Sequence, residues 1–133
     1  MAEKIQFELV SPAKLLVSSA VDMVVVPGTE GDFGALPRHA PVIATVRPGV
    51  IDVHDAGKIS DRIFVAGGFA EVNEERITVL AEEAIPVAEL TAELARERLT
   101  AAQEALSDAR TEGEKAAAEQ RIRIAIAMQA AAA

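Results

Sequence analysis

The sequence predicts a β-sandwich of about ten short antiparallel strands followed by a C-terminal antiparallel helical hairpin. Helix breakers are confined to the first part of the 133 residues: all six prolines lie at or before Pro86, and seven of the eight glycines lie at or before Gly68. The remaining residues contain sixteen alanines and a single breaker, Gly113. This composition favours helix because alanine has the best intrinsic helix propensity. We therefore expect two domains, a sandwich at residues 1–86 and a hairpin at residues 87–133.

Alternating apolar residues identify the strands of the first domain. The alternation, which is typical of half-buried strands, occurs in these groups: Ile5, Phe7 and Leu9; Val21, Met23 and Val25; 50–53; Ile63 and Val65; Ile77 and Val79. Turn residues such as Pro27-Gly28 and Pro48-Gly49 separate the groups. No helix of ten residues fits between them, which excludes parallel βαβ units. Two packed antiparallel sheets would bury so many one-faced strands.

Residues 87–133 carry two apolar stripes at helical spacing. The first stripe consists of small side chains that permit close helix approach, namely Ala88, Ala92, Ala95, Leu99, Ala102, Leu106 and Ala109. The segment Thr111-Glu112-Gly113 is expected to form the turn. The second stripe is Ala117, Gln120, Ile124, Ala127 and Ala131. Residues 122–128 also alternate, which leaves a strand open there, although the surrounding Ala, Gln and Glu favour helix.

The composition excludes several classes of function. Thirteen Lys and Arg against 21 Asp and Glu give a formal charge of −8, which repels nucleic acid and anionic lipid and favours basic partners. Cysteine is absent, which removes thiol catalysis and thiolate metal sites. Residues 1–7 show no basic leader, so no signal or transit peptide is expected. No run approaches the roughly 20 apolar residues of a membrane span, so membrane association is expected only through partners.

No catalytic or cofactor motif emerges from the sequence. Gly57-Lys58 lacks the rest of a phosphate-binding loop, and Gly67-Gly68 suits a bulge or a tight turn between strands. His39 and His54 have no partner at metal-ligand spacing. We therefore expect no cofactor and no metal. A small hydrolase that uses Asp32 and His39 stays open as an alternative.

Two loop segments are candidates for contact with a partner. Glu30 and Asp32 flank Gly31 in a glycine-rich stretch, which is either a solvated acidic turn or a docking site for a basic partner. His39 lies between two prolines that stiffen an extended connection. Its side chain is expected either to bond to backbone or to contact a partner.

Five strings follow one another between about residues 7 and 84. They are Val10-Ser11-Pro12, PGTEGDFGALPRHAP at 27–41, Arg47-Pro48-Gly49, VAGGFAEV at 65–72 and Thr78-Val79-Leu80-Ala81. Together they closely resemble the ε subunit family of F-type ATP synthases, and the helical tail fits that family's layout.

The resemblance implies a non-catalytic subunit of the rotor's central stalk. In that family the sandwich binds the γ subunit and rests on the ring of membrane-embedded c subunits, which couples proton-driven rotation to ATP synthesis. Carried over by position, Glu30, Gly31 and Asp32 contact the polar loops of the c ring, and His39 lies near γ. The implied location is peripheral, on the cytoplasmic face of the bacterial inner membrane.

The hairpin departs from the family pattern at the start of its first helix. Many bacterial members bind ATP there through an Ile/Leu-Asp-x-x-Arg-Ala motif. The corresponding residues here are Leu90, Thr91, Leu94 and Ala95, so Thr replaces the Asp and Leu replaces the Arg. A register that begins at Leu94 places Arg98 correctly but puts Ala95 at the Asp position. We therefore expect no regulatory ATP binding.

The second helix of the family can also reach the catalytic head and block rotation. It does so through basic residues that meet an acidic segment of the β subunit, which makes the β and α subunits further partners. This chain offers only Lys115, Arg121 and Arg123 and then a neutral tail, so we expect weak inhibition and a hairpin folded against the sandwich. The side chains expected to make that contact are Ile122, Ile126 and Met128.

The competing interpretation is a stand-alone sandwich module with a helical oligomerisation arm. It shares the predicted fold and lacks the rotary role. Co-purification with γ distinguishes the two interpretations.

Overall fold

The computed structural model describes residues 3–133 and contains two compact units, one that ends at Pro86 and one that spans Val87–Ala133. The described part of the first unit contains ten strands: β1 (Ile5–Val10), β2 (Leu15–Val21), β3 (Met23–Gly28), β4 (Gly31–Ala35), β5 (Val42–Val46), β6 (Gly49–Asp55), β7 (Lys58–Val65), β8 (Gly68–Val72), β9 (Arg76–Ala81) and β10 (Ala84–Pro86). The second unit contains a 3₁₀ turn at Val87–Glu89, then α1 (Ala92–Asp108) and α2 (Glu112–Ala132). The predicted fold class is confirmed.

The strands form one curled sheet in the order β10-β7-β6-β3-β5-β8-β9-β1-β2, and β4 pairs with β3. Among the ladders of the described residues, β1 with β9 is parallel and the others are antiparallel. The sequence analysis expected antiparallel pairing throughout. A parallel pair needs a long connection, and the strands between β1 and β9 supply it without a helix.

The core of the first unit lies between the faces of the curled sheet and is apolar. Burial alternates along β1, where Ile5, Phe7 and Leu9 are buried, and along β9, where Ile77 and Val79 are buried. No polar or charged residue is buried within residues 3–133. The buried cluster draws its members from β1 to β9, so this unit has a core of its own.

The second unit is a helical hairpin with a different turn from the one expected. Thr111 caps α2: its hydroxyl accepts from the Glu114 amide at 3.1 Å, and the Glu114 carboxylate accepts from the Thr111 amide at 3.1 Å. Gly113 therefore lies inside the first turn of α2. The expectation of a turn at Thr111-Glu112-Gly113 is wrong, because the reciprocal cap is compatible with a glycine one position before Glu114.

The predicted helix faces are correct for α1 and offset for α2. Ala95 and Ala102 are buried in α1, Leu99 between them and Leu106 after them are half-buried, and Ala92 is exposed. The buried residues of α2 are Ala118, Ala125 and Met128, and Ala117 is exposed. The α2 stripe was wrong because apolar residues occupy most sides of this helix, so spacing alone does not select a face. Residues 122–128 are helical, which decides against the strand.

Candidate docking site

The acidic turn joins β3 to β4 at the edge of the first unit. Gly28 and Gly31 are register partners, so Thr29 and Glu30 form its tip. Gly31 has φ of +127°, a conformation that side chains other than glycine rarely adopt. A Cβ at Gly28 would lie 2.7 Å from the Gly31 carbonyl oxygen. These two glycines therefore permit a tight turn with Glu30 at its exposed end.

Arg47 connects this turn to the end of β5. Its guanidinium donates one hydrogen bond of 2.6 Å to the Gly28 carbonyl and a second of 2.6 Å to the Asp32 carboxylate. The backbone amide of Arg47 donates to the Pro27 carbonyl at 2.8 Å, and that of Thr29 donates to the Thr45 carbonyl at 2.9 Å. The sequence analysis missed Arg47, although it noted the Arg47-Pro48-Gly49 string.

His39 ends a turn that brings it back toward the acidic tip. The His39 amide donates to the Leu36 carbonyl at 3.1 Å, with Pro37 and Arg38 between them, and Arg38 has φ of +68°. Proline followed by a positive φ is the pattern of a type II turn. The half-buried His39 ring donates from Nδ1 to the Ala40 carbonyl at 2.7 Å. The histidine is therefore bonded to backbone, as one of the two expectations held.

A surface cavity of about 520 Å³ brings the two predicted segments together. Its lining includes Glu30, Gly31 and Asp32 on one side and His39 on the other, with β5 residues 42–45 between them. Asp32 pairs with Arg47 and His39 with a backbone carbonyl, so the two side chains do not form an acid and base pair. Within residues 3–133 no group of three His, Cys, Asp or Glu side chains is placed to hold a metal.

An exposed apolar strip crosses the neighbouring strands. Ile43 on β5, Phe69 on β8 and Leu80 on β9 are 74%, 56% and 49% exposed, and Phe69 and Leu80 are register partners. We call these three residues the apolar strip. Ile43 also lines the cavity beside His39, so the two features are continuous. Sequence reasoning missed the strip, although a signal exists: Phe69 is out of phase with Ala70 and Val72, which are buried in the same strand.

The residues at the positions of the degenerate nucleotide motif make structural contacts at the start of α1. Thr91 caps α1, and its hydroxyl accepts from the Leu94 amide at 3.1 Å. Leu90 and Ala95 are buried. The four motif positions therefore offer neither an acidic nor a basic side chain to a nucleotide.

The three residues expected to dock the hairpin differ in exposure. Ile122 is half-buried, Ile126 is 53% exposed and Met128 is fully buried. Residues two apart on an α-helix point about 200° away from each other. Ile126 and Met128 therefore lie on opposite sides of α2, and one flat surface cannot cover both.

An ion-pair cluster ties three loops of the first unit together. Lys4 pairs with Asp22 at 2.9 Å and also with Asp55, and the Ala56 amide donates to Asp22 at 2.9 Å. Hydrogen bonds from Lys4 and from the Ala56 amide hold the pKa of Asp22 below its ordinary value. Hydrogen bonds to Asp22 and Asp55 raise the pKa of Lys4. The cluster joins the start of β1 to the β2–β3 connection and to the β6–β7 turn.

The first unit presents two features suited to docking with a partner, an acidic tip and an exposed apolar strip. The second unit is a helical hairpin. No helix of the described chain is long and apolar enough to cross a bilayer.

Comparison with known proteins agrees with that class. The family model for the β-sandwich domain of the ATP synthase delta/epsilon chain matches residues 4–87. The chain is 74% identical, over all 133 residues of both chains, to the ATP synthase epsilon chain of Paramagnetospirillum magneticum. It is 60% identical to that of Rhodospirillum rubrum over 131 residues, which is 98% of each chain. The chain belongs to the ATP synthase epsilon chain family.

Chains in solved ATP synthase structures are also similar to this chain. A chain in the Euglena gracilis mitochondrial ATP synthase, a structure of OSCP, F1 and c-ring, matches with a TM-score of 0.79 at 26% identity and covers 96% of this chain and 81% of that one. A chain in the Tetrahymena thermophila mitochondrial central stalk and c-ring matches with a TM-score of 0.74 at 13% identity over 98% of both, which shows the fold alone. The resemblance read from the five strings is confirmed, and with it a non-catalytic stalk subunit.

Proposed function

We propose that this chain is the ε subunit of the rotor in a proton-translocating F-type ATP synthase, where it binds γ and the c ring and couples rotation to ATP synthesis. The observation that carries the proposal is the 74% identity to an ATP synthase epsilon chain along the whole of both chains. The sandwich, residues 1–86, and the hairpin, residues 87–133, act as separate domains. The subunit works on the cytoplasmic face of the bacterial inner membrane.

The acidic tip is proposed as the contact with the c ring. Glu30, Gly31 and Asp32 lie at an exposed turn, and a carboxylate at the end of a tight turn can approach a polar loop closely. Opposite charge on that loop would speed association and fix its register.

The apolar strip, together with His39, is proposed as the contact with γ. Phe69 and Leu80 face each other on β8 and β9, and Ile43 lies diagonally from Phe69, opposite Glu71. Exposed large apolar side chains on neighbouring strands are a typical feature of a protein interface. His39 borders the same surface through Ile43. The two contacts are adjacent, so one subunit can hold a stalk and a ring at once.

The hairpin is proposed to inhibit ATP hydrolysis weakly and to bind no ATP. In α2 the basic side chains are Lys115, Arg121 and Arg123, and Arg123 bonds to Gln120 at 2.6 and 2.9 Å. The three acidic side chains of α2 balance these three positive charges, so the helix has no net positive charge for docking against acidic α or β segments. The motif positions Thr91 and Leu94 serve the start of α1.

Separate loss of the two contacts tests the proposal. Glu30→Gln should weaken binding to purified c ring and leave binding to γ unchanged. Phe69→Ala should weaken binding to γ and leave binding to the c ring unchanged. Matched controls are Glu104→Gln, an exposed carboxylate on α1 with the same change in charge, and Leu15→Ala, which is 53% exposed on β2 against 56% for Phe69. Equal effects of a variant and its control would contradict the assignment of that surface.

A further inference from the structure

Arg47 is the residue that fixes the shape of the acidic turn. Its two guanidinium bonds reach both ends of the turn, the Gly28 carbonyl and the Asp32 carboxylate, each at 2.6 Å. A planar guanidinium donates in two fixed directions, which an ammonium group does not. We call these two contacts the Arg47 bridge.

The backbone of Arg47 is itself held in place. Its amide donates to the Pro27 carbonyl at 2.8 Å, and Gly28 and Val46 are register partners. Pro48 follows, and a proline restricts the residue before it to extended conformations. The bridge therefore starts from a fixed point on the β5–β6 connection rather than from a mobile loop.

The bridge also changes which carboxylate of the turn is available. The Asp32 carboxylate forms an ion pair with the Arg47 guanidinium. Among the described residues, no side chain pairs with Glu30. The turn with Arg47 thus carries a net charge of about −1, and that charge lies on Glu30 at the tip.

We propose that Arg47 is a positioning residue for the docking turn: by engaging Asp32 and the Gly28 carbonyl it holds Glu30 outward as the single free carboxylate offered to a cationic side chain of the partner loop. The proposal deepens the c-ring contact described above and rests on that proposed function. Asp32 acts within the turn, and Glu30 acts across the interface.

The substitution Arg47→Gln changes the affinity for the c ring in opposite directions if Arg47 positions the turn and if only the net charge of the turn matters. Arg47→Gln removes a positive charge and frees Asp32, so a purely electrostatic contact with a basic loop would tighten. A positioning role predicts weaker binding, because the loosened turn must be ordered again on docking. We expect affinity for purified c ring to fall by about threefold to tenfold, the size of the net contribution of one ordinary hydrogen bond.

Arg62→Gln is the matched control. Arg62 pairs with Asp52 at 3.0 Å on neighbouring strands, and its side chain is 51% exposed against 43% for Arg47. The substitution changes the net charge equally and lies outside the turn. Binding within twofold of the original chain is expected for Arg62→Gln. Arg47→Lys keeps the charge and loses the planar guanidinium, so its affinity for the c ring should lie between those of the original chain and Arg47→Gln.

Hydrogen exchange in the isolated full-length chain measures how firmly the turn is held in the absence of any partner. Arg47→Gln should speed exchange of the amides at residues 28–33 by about tenfold, whereas Arg62→Gln should leave them unchanged. Unchanged exchange in Arg47→Gln, or tighter c-ring binding by that variant, would overturn the proposal.

The two carboxylates give the second arm of the test. Glu30→Gln should weaken c-ring binding and leave exchange in the turn unchanged, while Asp32→Asn should speed exchange and add little to the loss already caused by Arg47→Gln. A full additional loss in the double variant would show that Asp32 reaches the partner directly and would overturn the division of roles. Failure of the original chain to bind c ring refutes the proposed function and the role of Glu30, while the exchange result still decides the Arg47 bridge.

Discussion

Gly68 lies where the backbones of β8 and β9 approach closely, and Gly68→Ala should strongly destabilise the sandwich. Gly68 has φ of +142°, and a Cβ there would lie 1.9 Å from the Leu80 carbonyl oxygen, about 1.1 Å inside the 3.0 Å limit for real Cβ contacts. The obstacle is backbone, so no side chain can move aside. Strands β8 and β9 must separate where Gly68 faces Ala81.

Gly31→Ala supplies the matched comparison. Gly31 has φ of +127°, close to that of Gly68, but nothing lies within 4 Å of its added Cβ. Both substitutions carry the backbone strain, about 2 kcal/mol of free energy of unfolding. Only Gly68→Ala also loses ladder hydrogen bonds at the start of β8, about 2 kcal/mol more for two bonds. The difference between the two variants isolates the close approach.

Urea unfolding followed by two-dimensional NMR distinguishes the two effects, because the strand amides report on the sandwich separately from the helices. With a denaturant slope of about 1 kcal/mol per molar for a domain of this size, the midpoint should fall by about 2 M for Gly31→Ala and about 4 M for Gly68→Ala. A loss for Gly68→Ala no larger than that for Gly31→Ala would refute the packing argument.

Three further substitutions and conditions test other parts of the molecule. Ala56 has φ of +55° beside Gly57 at +78°, so Ala56→Asn, which tolerates this conformation, should raise stability by about 0.5–1 kcal/mol in thermal unfolding, and a decrease would contradict the turn assignment. Thr111→Ala removes the α2 cap and should cost the hairpin about 1 kcal/mol, whereas Thr100→Ala on the exposed face of α1 should raise its stability by about 0.5 kcal/mol through helix propensity. The pKa of Asp22 is lowered from 3.8 and that of Lys4 is raised from 10.5. Stability from this pair is therefore complete near neutral pH and is lost as pH falls below about 4 or rises above about 10, and Lys4→Gln should flatten both limbs of the stability curve against pH.

Local patterning accounts for what the sequence could predict. Alternation at Ile5, Phe7 and Leu9 and the near absence of breakers after Pro86 each describe a property of consecutive residues, and both were confirmed by the observed elements. The turn of the hairpin was misplaced because Gly113 received more weight than the reciprocal cap of Thr111 and Glu114, which is also written in the sequence.

Contacts between distant strands could not be predicted in the same way. The Arg47 bridge to Asp32 depends on β5 lying beside β3, and no local pattern states that adjacency. The parallel pairing of β1 with β9 could not be predicted from the sequence for the same reason, since it joins residues about 70 positions apart. The apolar strip is an intermediate case: the outward phase of Phe69 follows from alternation, but its neighbours Ile43 and Leu80 follow only from the strand order.

We propose above all that the sandwich carries the docking and that the hairpin inhibits little. The most direct test is ATP hydrolysis by a γ-containing catalytic head that lacks this subunit, titrated with the full chain and separately with residues 1–86, which contain a complete core. We predict that both saturate binding and give the same rate of hydrolysis. Slower hydrolysis with the full chain alone would contradict it, and a failure of both to bind would contradict the proposed function.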